Sequence, residues 1–304
     1  MARPPRNPLI PTRDGVSPSC VAVPAGSWPT VLDFLAERLD KIPRAQWDQR
    51  LTQGQVFQEN GQTIAADQPC LQGQRLYYYR SLAIEPALPV QACIVFEDDH
   101  LLVADKPHFM PVTPTGRYVQ QSLLVQLKRQ TGCDDLTPIH RIDRETAGLV
   151  VLSKRPQDRN AYQALFRARQ VHKVYHAVAS APGDLQLPQV HRSRMAEDPA
   201  QFFRMREVPG EPNSETRVNV LRIDGDRALY QLEPVTGKRH QLRVHMLSLG
   251  HPIEGDQFYP AVLRGPDQDE DFSQPLQLLA QSMAFNDPHT GQARVFESGL
   301  RLSL

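Results

Sequence analysis

Residues 137–156, TPIHRIDRETAGLVVLSKRP, constrain this chain more than any other stretch. A dense polar run of His140, Arg141, Asp143, Arg144, Glu145 and Thr146 gives way to Gly148 and then to the apolar run Leu149, Val150, Val151, Leu152. A short apolar run after a glycine reads as a buried strand. The polar run is then a loop at the N-terminal end of that strand. It sets one carboxylate, Asp143, between the guanidinium groups of Arg141 and Arg144. An anion in a positive field can attract a polyanion and still act as base or nucleophile. Taken alone, the same triplet is also what an ordinary surface ion pair looks like.

The rest of the chain bounds the choices. Its 304 residues suffice for one large domain and a small one, and 40% apolar content supports a core. Net charge is zero, so a nucleic-acid partner must be met by a local basic patch. Cys20, Cys70, Cys93 and Cys133 are scattered with no CxxC pair. That spacing argues against a zinc knuckle or redox motif and fits a reducing compartment. No apolar run reaches membrane-span length and no secretory h-region opens the chain, so the expected location is the cytoplasm.

In order, residues 1–26 carry many prolines with Arg3, Arg6 and Arg13, and are expected to be a flexible leader. Residues 27–82 form a small unit of their own. Ser27 or Thr30 can cap a helix bearing Val31, Leu32, Phe34, Leu35 and Leu39. A second helix holds Trp47 and Leu51, with Arg44 and Arg50 outward. Asn60-Gly61 marks a hairpin, and residues 75–79 a closing strand. Residues 83–90, with Pro86 and Pro89, read as a linker, and 91–304 as the larger domain. Within it, strands alternate with a few helices, as in a mixed sheet with helices packed on it. The acidic stretch 265–271 is expected to be a solvated surface loop.

Two further clusters carry chemistry. In HQLRVHM, residues 240–246, apolar and polar side chains alternate, so this segment is expected to be a strand. Leu242, Val244 and Met246 would face the core and Arg243 a charged groove. His240 and His245 would then face opposite sides, and with His251 they give no credible ligand set, so no metal is expected. In KVYHAV, residues 173–178, Lys173 and Tyr175 share a face, and a tyrosine there can stack on a base. An ordinary half-buried strand aromatic would look the same.

Together these blocks resemble a known family. HRIDRETAGLVVLSK is similar to the catalytic motif of RluA-type pseudouridine synthases, KVYHAV to their tyrosine motif, and TGKRHQLRVHMLSLGHPIEGDQFY to their third motif. VFEDDHLLVADKP resembles their opening strand pair. The order of the four blocks makes the resemblance specific over about residues 90–304. Departures are Ile142 where Leu is usual, Ala147 where Ser is common, and Lys238 before Arg239; the stretch 182–213 is also less typical. The unit at 27–82 resembles an S4 RNA-binding module, although the basic character of its second helix is thin.

The resemblance implies an α+β fold with a mixed, mostly antiparallel sheet and flanking helices, preceded by a small α/β S4-like domain. It implies isomerisation of uridine to pseudouridine in structured ribosomal or transfer RNA, by a monomer without metal or cofactor. Asp143 would be the essential carboxylate, Arg243 its salt-bridge partner, Tyr175 the stacking residue, and Arg141 the side chain that fills the gap left by a flipped nucleotide. Arg144, Lys173, Arg239 and Lys106 would contact phosphates. A non-catalytic RNA-binding or ribosome-assembly protein, and a histidine-based metal hydrolase, are the competing classes.

Overall fold

The computed structural model describes residues 7–82, 84–183, 189–263, 265, 268 and 270–304. The chain divides into two compact units. The first comprises residues up to Pro86 together with Thr115–Gln120 and Val125–Asp134; the second holds the remainder.

In the first unit, β1 (Ser19–Ala22), β3 (Arg75–Tyr78) and β2 (Val56–Gln58) form a three-stranded antiparallel sheet, with β3 central. Helices α1 (Val31–Arg38) and α2 (Arg44–Thr52) pack on it. Thr30 caps α1: its hydroxyl accepts from the Asp33 amide while the Asp33 carboxylate accepts from the Thr30 amide. Phe34, Leu35, Trp47, Leu51, Val56 and Leu76 make the core. Gly61 takes the left-handed φ of +81° that the Asn60-Gly61 turn requires.

Three expectations change here. Part of the expected leader is built into the unit, since β1 lies at 19–22 and Ile10 and Val16 are buried. The alternating Cys20 and Val21 supply the strand that the surrounding prolines obscured. Arg50 is buried, and its guanidinium donates to the Ser81 hydroxyl and carbonyl. Finally, Val119 and Val125, which fall in the expected larger domain, pack with Val16. The 83–90 linker is therefore not a clean divide.

The second unit is built on an 11-stranded sheet. Its strands are β4 (Cys93–Glu97), β5 (Leu101–Lys106), β6 (Thr137–Pro138), β7 (Ala147–Ser153), β8 (His172–Ser180), β9 (Val190–Glu197), β10 (Met205–Val208), β11 (Ser214–Asp224), β12 (Arg227–Pro234), β13 (Leu278–Asn286) and β14 (Ala293–Glu297). The helices are α3 (Leu123–Thr131), whose first residues alone belong to this unit, α4 (Arg159–Arg167) and α5 (Gln241–Ser248). The order is β10-β9-β11-β12-β8-β13-β7-β5-β4, with β14 on β13 and β6 on β7. Only β13–β7 is parallel among the described pairs; the rest are antiparallel. The expected α+β class with a mixed, mostly antiparallel sheet is borne out.

β7 is buried along its whole length, as its unbroken apolar run requires. Gly148 sits at φ +106°, and a Cβ there would lie 2.3 Å from the Ala280 carbonyl oxygen. Only glycine lets β13 approach β7 at this point. Tyr162 of α4 packs with Leu149 and Val151 of β7 and with Met283 and Phe285 of β13. Leu242 and Met246 of α5 pack against Ala177, Tyr230 and Leu232 of β8 and β12.

Residues 241–248 are helix α5, not the expected strand. Gln241 to Met246 are all buried, so the helix carries no polar stripe. Its polar groups are satisfied instead by bonds. Gln241 donates to the Glu215 carbonyl and the Thr216 hydroxyl, and His245 meets Ser214 and Thr216. Alternation of apolar residues over so short a segment does not separate the two periods.

Candidate active site

The polar run after β6 is stapled to the strand that follows it. The Ile139 amide donates to the Val151 carbonyl, and His140 Nε2 accepts the Val151 amide at 3.1 Å. His140 stacks on Phe166 of α4 at 4.8 Å. Burial, with Lys173 nearby, pushes the His140 pKa down to about 3, so the ring is a neutral acceptor. Residues 141–145 are thereby held at the mouth of β7.

Asp143 is not bracketed by its sequence neighbours. Arg141 is exposed, and Arg144 is held by two carboxylates, Glu145 Oε1 at 3.0 Å and Glu270 Oε1 at 2.6 Å. The acidic stretch expected to be solvated thus sends one side chain, only 6% exposed, into this cluster. The cation that meets Asp143 is Arg243, from α5, with Nη1 3.4 Å from Asp143 Oδ2. His240 Nε2 lies 3.9 Å from the same oxygen.

Arg243 is fully buried, and its strongest partner is Asp256. Nε and Nη2 donate to the two oxygens of Asp256 at 2.8 and 2.6 Å, a bidentate pair. Burial works against the Arg243 charge, but the Asp256 hydrogen bond and the Asp256, Asp143 and Glu145 charges outweigh it and raise its pKa. The guanidinium carbon also lies 5.1 Å from the Phe258 ring and 5.3 Å from that of Tyr259. Asp256 is itself fixed by the Phe258 and Tyr259 amides. Gly255 permits this turn: at φ +72°, a Cβ would sit 2.3 Å from the Pro275 carbonyl oxygen.

Around Arg243, the side chains of Asp143, Glu145 and Asp256 are 24%, 9% and 1% exposed. Only Asp143 of the three is open to a ligand. Glu145 is buried, yet Arg144 and Arg243 hold its pKa below the ordinary value despite that burial. Lys106 is fully buried, and its ammonium donates to the Pro107 and Arg144 carbonyls at 2.9 and 3.0 Å. It braces the loop from inside and does not reach a phosphate, contrary to expectation. Burial, partly countered by Glu145 and Asp143, lowers its pKa to about 7.

Tyr175 of β8 is half-buried against Leu242 and its neighbours. Burial and then the Asp143 charge raise its phenol pKa. Lys173, also half-buried, has its pKa lowered by burial and lines a cleft of about 300 Å³ with Arg169 and Arg217. Arg239 lies outside the cluster, where its Nη2 donates to the Phe202 and Arg204 carbonyls.

The structure thus brings Asp143 and Arg243 together, with Tyr175 in electrostatic reach, and keeps Arg239 apart. Sequence reasoning missed Asp256, His240, Phe258 and Tyr259, although the run GDQFY held three of them. The histidines weighed as a ligand set do not converge. His240 meets Asp143, His251 meets Ser180, and His245 lies near His191 and Glu207. The His245 nitrogens are hydrogen-bonded by Ser193, Ser214 and Thr216. A second group that could hold a metal is His100, Asp158 and His289.

Both the sequence and the fold have known counterparts. A family model described as RNA pseudouridylate synthase matches residues 100–248. An uncharacterized RNA pseudouridine synthase of Synechocystis is 31% identical over 75% of this chain and 79% of its own. The dual-specificity RNA pseudouridine synthase RluA of Vibrio parahaemolyticus is 35% identical over 64% of this chain and 78% of its own. Among solved structures, human RNA pseudouridylate synthase domain containing 4 superposes with a TM-score of 0.53 at 26% identity, covering 69% of this chain and 88% of that one. Fold and sequence alike define an isomerase that acts on uridine in RNA. The chain belongs to the RluA-type pseudouridine synthase family.

Proposed function

We propose that Asp143 is the carboxylate that drives the isomerisation. The observation that supports this is its exposure: it is the open member of the carboxylate cluster around a buried arginine. In the reaction the N1–C1′ bond of uridine breaks, a C5–C1′ bond forms, the C5 hydrogen leaves to solvent, and N1 takes up a proton. Asp143 serves by adding to sugar or base or by removing a sugar proton. Arg243 balances its charge where water is excluded. Tyr175 stacks on the target base, and Arg141, exposed at the loop tip, fills the space that a flipped nucleotide leaves. Lys173, beside Arg169 and Arg217 in one cleft, takes a backbone phosphate. Arg144 joins it in positioning RNA, and Arg239 acts from outside the cluster by holding the backbone at Phe202 and Arg204.

The substrate class we infer is structured ribosomal or transfer RNA. Relatives carry the names dual-specificity RNA pseudouridine synthase, ribosomal large subunit pseudouridine synthase C and tRNA pseudouridine(32) synthase. The first unit adds affinity in the manner of an S4-like module. The active species we infer is a monomer. Its four free cysteines support a cytoplasmic setting, and no helix among the described residues is long and apolar enough to cross a membrane.

The test is Asp143→Asn with RNA tritiated at uridine C5. Tritium release should vanish while RNA affinity stays within about threefold, because phosphate contacts carry most binding. Release at the wild-type rate overturns the assignment.

A further inference from the structure

The β9–β10 hairpin ends in the loop 198–204, and Phe202 there is 81% exposed, the most exposed aromatic side chain among the large hydrophobics of the described residues. A loop tip usually carries small or polar residues. This one is instead tied down around a bare ring. The Arg239 guanidinium donates to the Phe202 carbonyl at 2.8 Å and to the Arg204 carbonyl at 3.2 Å. Arg204 in turn donates to the Pro260 carbonyl at 3.0 Å and lies 4.8 Å from the centre of the Tyr259 ring. At the loop's C-terminal edge, the Met205 amide donates to the Tyr259 hydroxyl at 2.8 Å.

The next residue shows where the tip is seated. Phe203 packs on Phe258 with ring centres 5.4 Å apart, and Phe258 is the ring over Arg243. A chain of contacts therefore runs from Phe202 through Phe203, Phe258 and Arg243 to Asp143. Phe203 also meets Phe202 edge to face, at 5.6 Å and 88°. The hairpin's other end is clamped too, by His191 Nε2 and Glu207 Oε1 at 2.8 Å. An exposed aromatic on a hydrogen-bonded loop beside arginines, next to a site that must admit RNA, has the properties of a base-stacking platform.

We propose that Phe202 stacks on an unpaired base flanking the target uridine, and so selects RNAs in which that neighbour is unstacked. This rests on the pseudouridine synthase reading of the Asp143 site. It differs from that reading in assigning substrate choice to the hairpin tip and not to the catalytic loop. Arg239 acts here as a positioning residue, holding the tip's backbone, in place of the direct phosphate contact expected of it.

The probes are total transfer RNA and total ribosomal RNA, tritiated at uridine C5, from cells lacking this gene. Single-turnover tritium release and equilibrium binding are measured for the wild type, Phe202→Ala, Phe202→Leu and Phe202→Trp. On the RNA that the wild type modifies, Ala and Leu should each weaken half-saturation about 5- to 100-fold, the range of one lost base stack, with the limiting rate within about twofold. Trp should restore wild-type behaviour. Wild-type half-saturation in Phe202→Ala overturns the proposal, as does full retention by Leu, which would indicate an apolar contact without stacking. If the wild type releases no tritium from either RNA, the isomerase reading fails instead, and the binding measurements still decide the role of Phe202. Unchanged melting temperatures, expected for so exposed a side chain, exclude misfolding as the cause.

Discussion

Arg243 and Asp256 form a bidentate pair with both side chains essentially solvent-free, at 2.8 and 2.6 Å. Arg243 touches Asp143 only through its remaining nitrogen, at 3.4 Å. Asp256 therefore aims the guanidinium that faces the open carboxylate. In Asp256→Asn, one oxygen can still accept from the Phe258 and Tyr259 amides, but the amide nitrogen would confront Arg243 Nε, donor against donor. Breaking such a buried pair costs about 3–5 kcal/mol. The expected result is a lower urea midpoint and a single-turnover rate at least about tenfold down, with RNA affinity nearly unchanged. A wild-type limiting rate would show that Arg243 needs no aiming.

Lys106 makes stability depend on alkaline pH. Its folded-state pKa is about 7, against 10.5 when unperturbed. Between those values the unfolded chain binds more protons than the folded one, so stability rises with pH. The cost of burying the ammonium is full below about pH 7 and gone above about 10.5. Compared with Lys106→Met, the wild type should gain stability between pH 7 and 10, by an amount of order a few kcal/mol. Urea titrations of both proteins at pH 6.5, 8 and 9.5 check this. A difference that stays constant with pH would mean that Lys106 does not lose its proton in the folded state.

Glu270 occupies part of Arg144, a cation proposed to position RNA. Glu270→Gln removes the competing charge and keeps the shape. RNA affinity should rise about two- to fivefold at moderate salt, the effect of one modest ion pair. Anisotropy titrations with the modified RNA provide the check. No change in affinity would place Arg144 outside the RNA interface.

Removing residues 1–82 should destabilise what is left. Val16 packs with Val119 and Val125, and Lys128 donates to the Ser17 hydroxyl at 2.8 Å. Stripping Val16 away uncovers apolar surface worth about 1.5–3 kcal/mol per buried side chain. The truncated protein should melt earlier and bind RNA more weakly. An unchanged melting curve would restore the simple linker at 83–90, and unchanged affinity would count against an S4-like role.

β1, β9, β10, β13 and β14 went unanticipated, but part of the strand-and-helix order was readable from the chain, because β5, β7 and β8 carry continuous or alternating apolar runs and α1 carries a capping box. α5 was not. Its sides are all buried, so the usual polar stripe is missing, and Leu242, Val244 and Met246 mimic a strand. The available signal was at its end: Gly250, at φ +85°, and Pro252 are helix-stop residues. At the site, Asp143 and Arg243 emerged from motif resemblance, and the structure puts them together. Asp256 did not emerge, because nothing local marks a carboxylate as buried. Nor did Glu270, whose acidic run resembles any solvated loop. The arginines flanking Asp143 in sequence misled for a related reason: adjacency in a loop does not fix direction in space.

The glycine seam between β7 and β13 has a consequence for synthesis. β7 and β8 are near neighbours in sequence, yet β13 lies between them in the sheet, with Ala280 against Gly148 on one side and Tyr175 on the other. The strand that delivers Asp143 and the strand that carries Tyr175 have no common edge until residues 278–286 arrive. A nascent chain that has already made both residues still cannot bring them to their working separation. The two catalytic-site strands are therefore joined in the sheet only through β13, a segment made about a hundred residues after Tyr175.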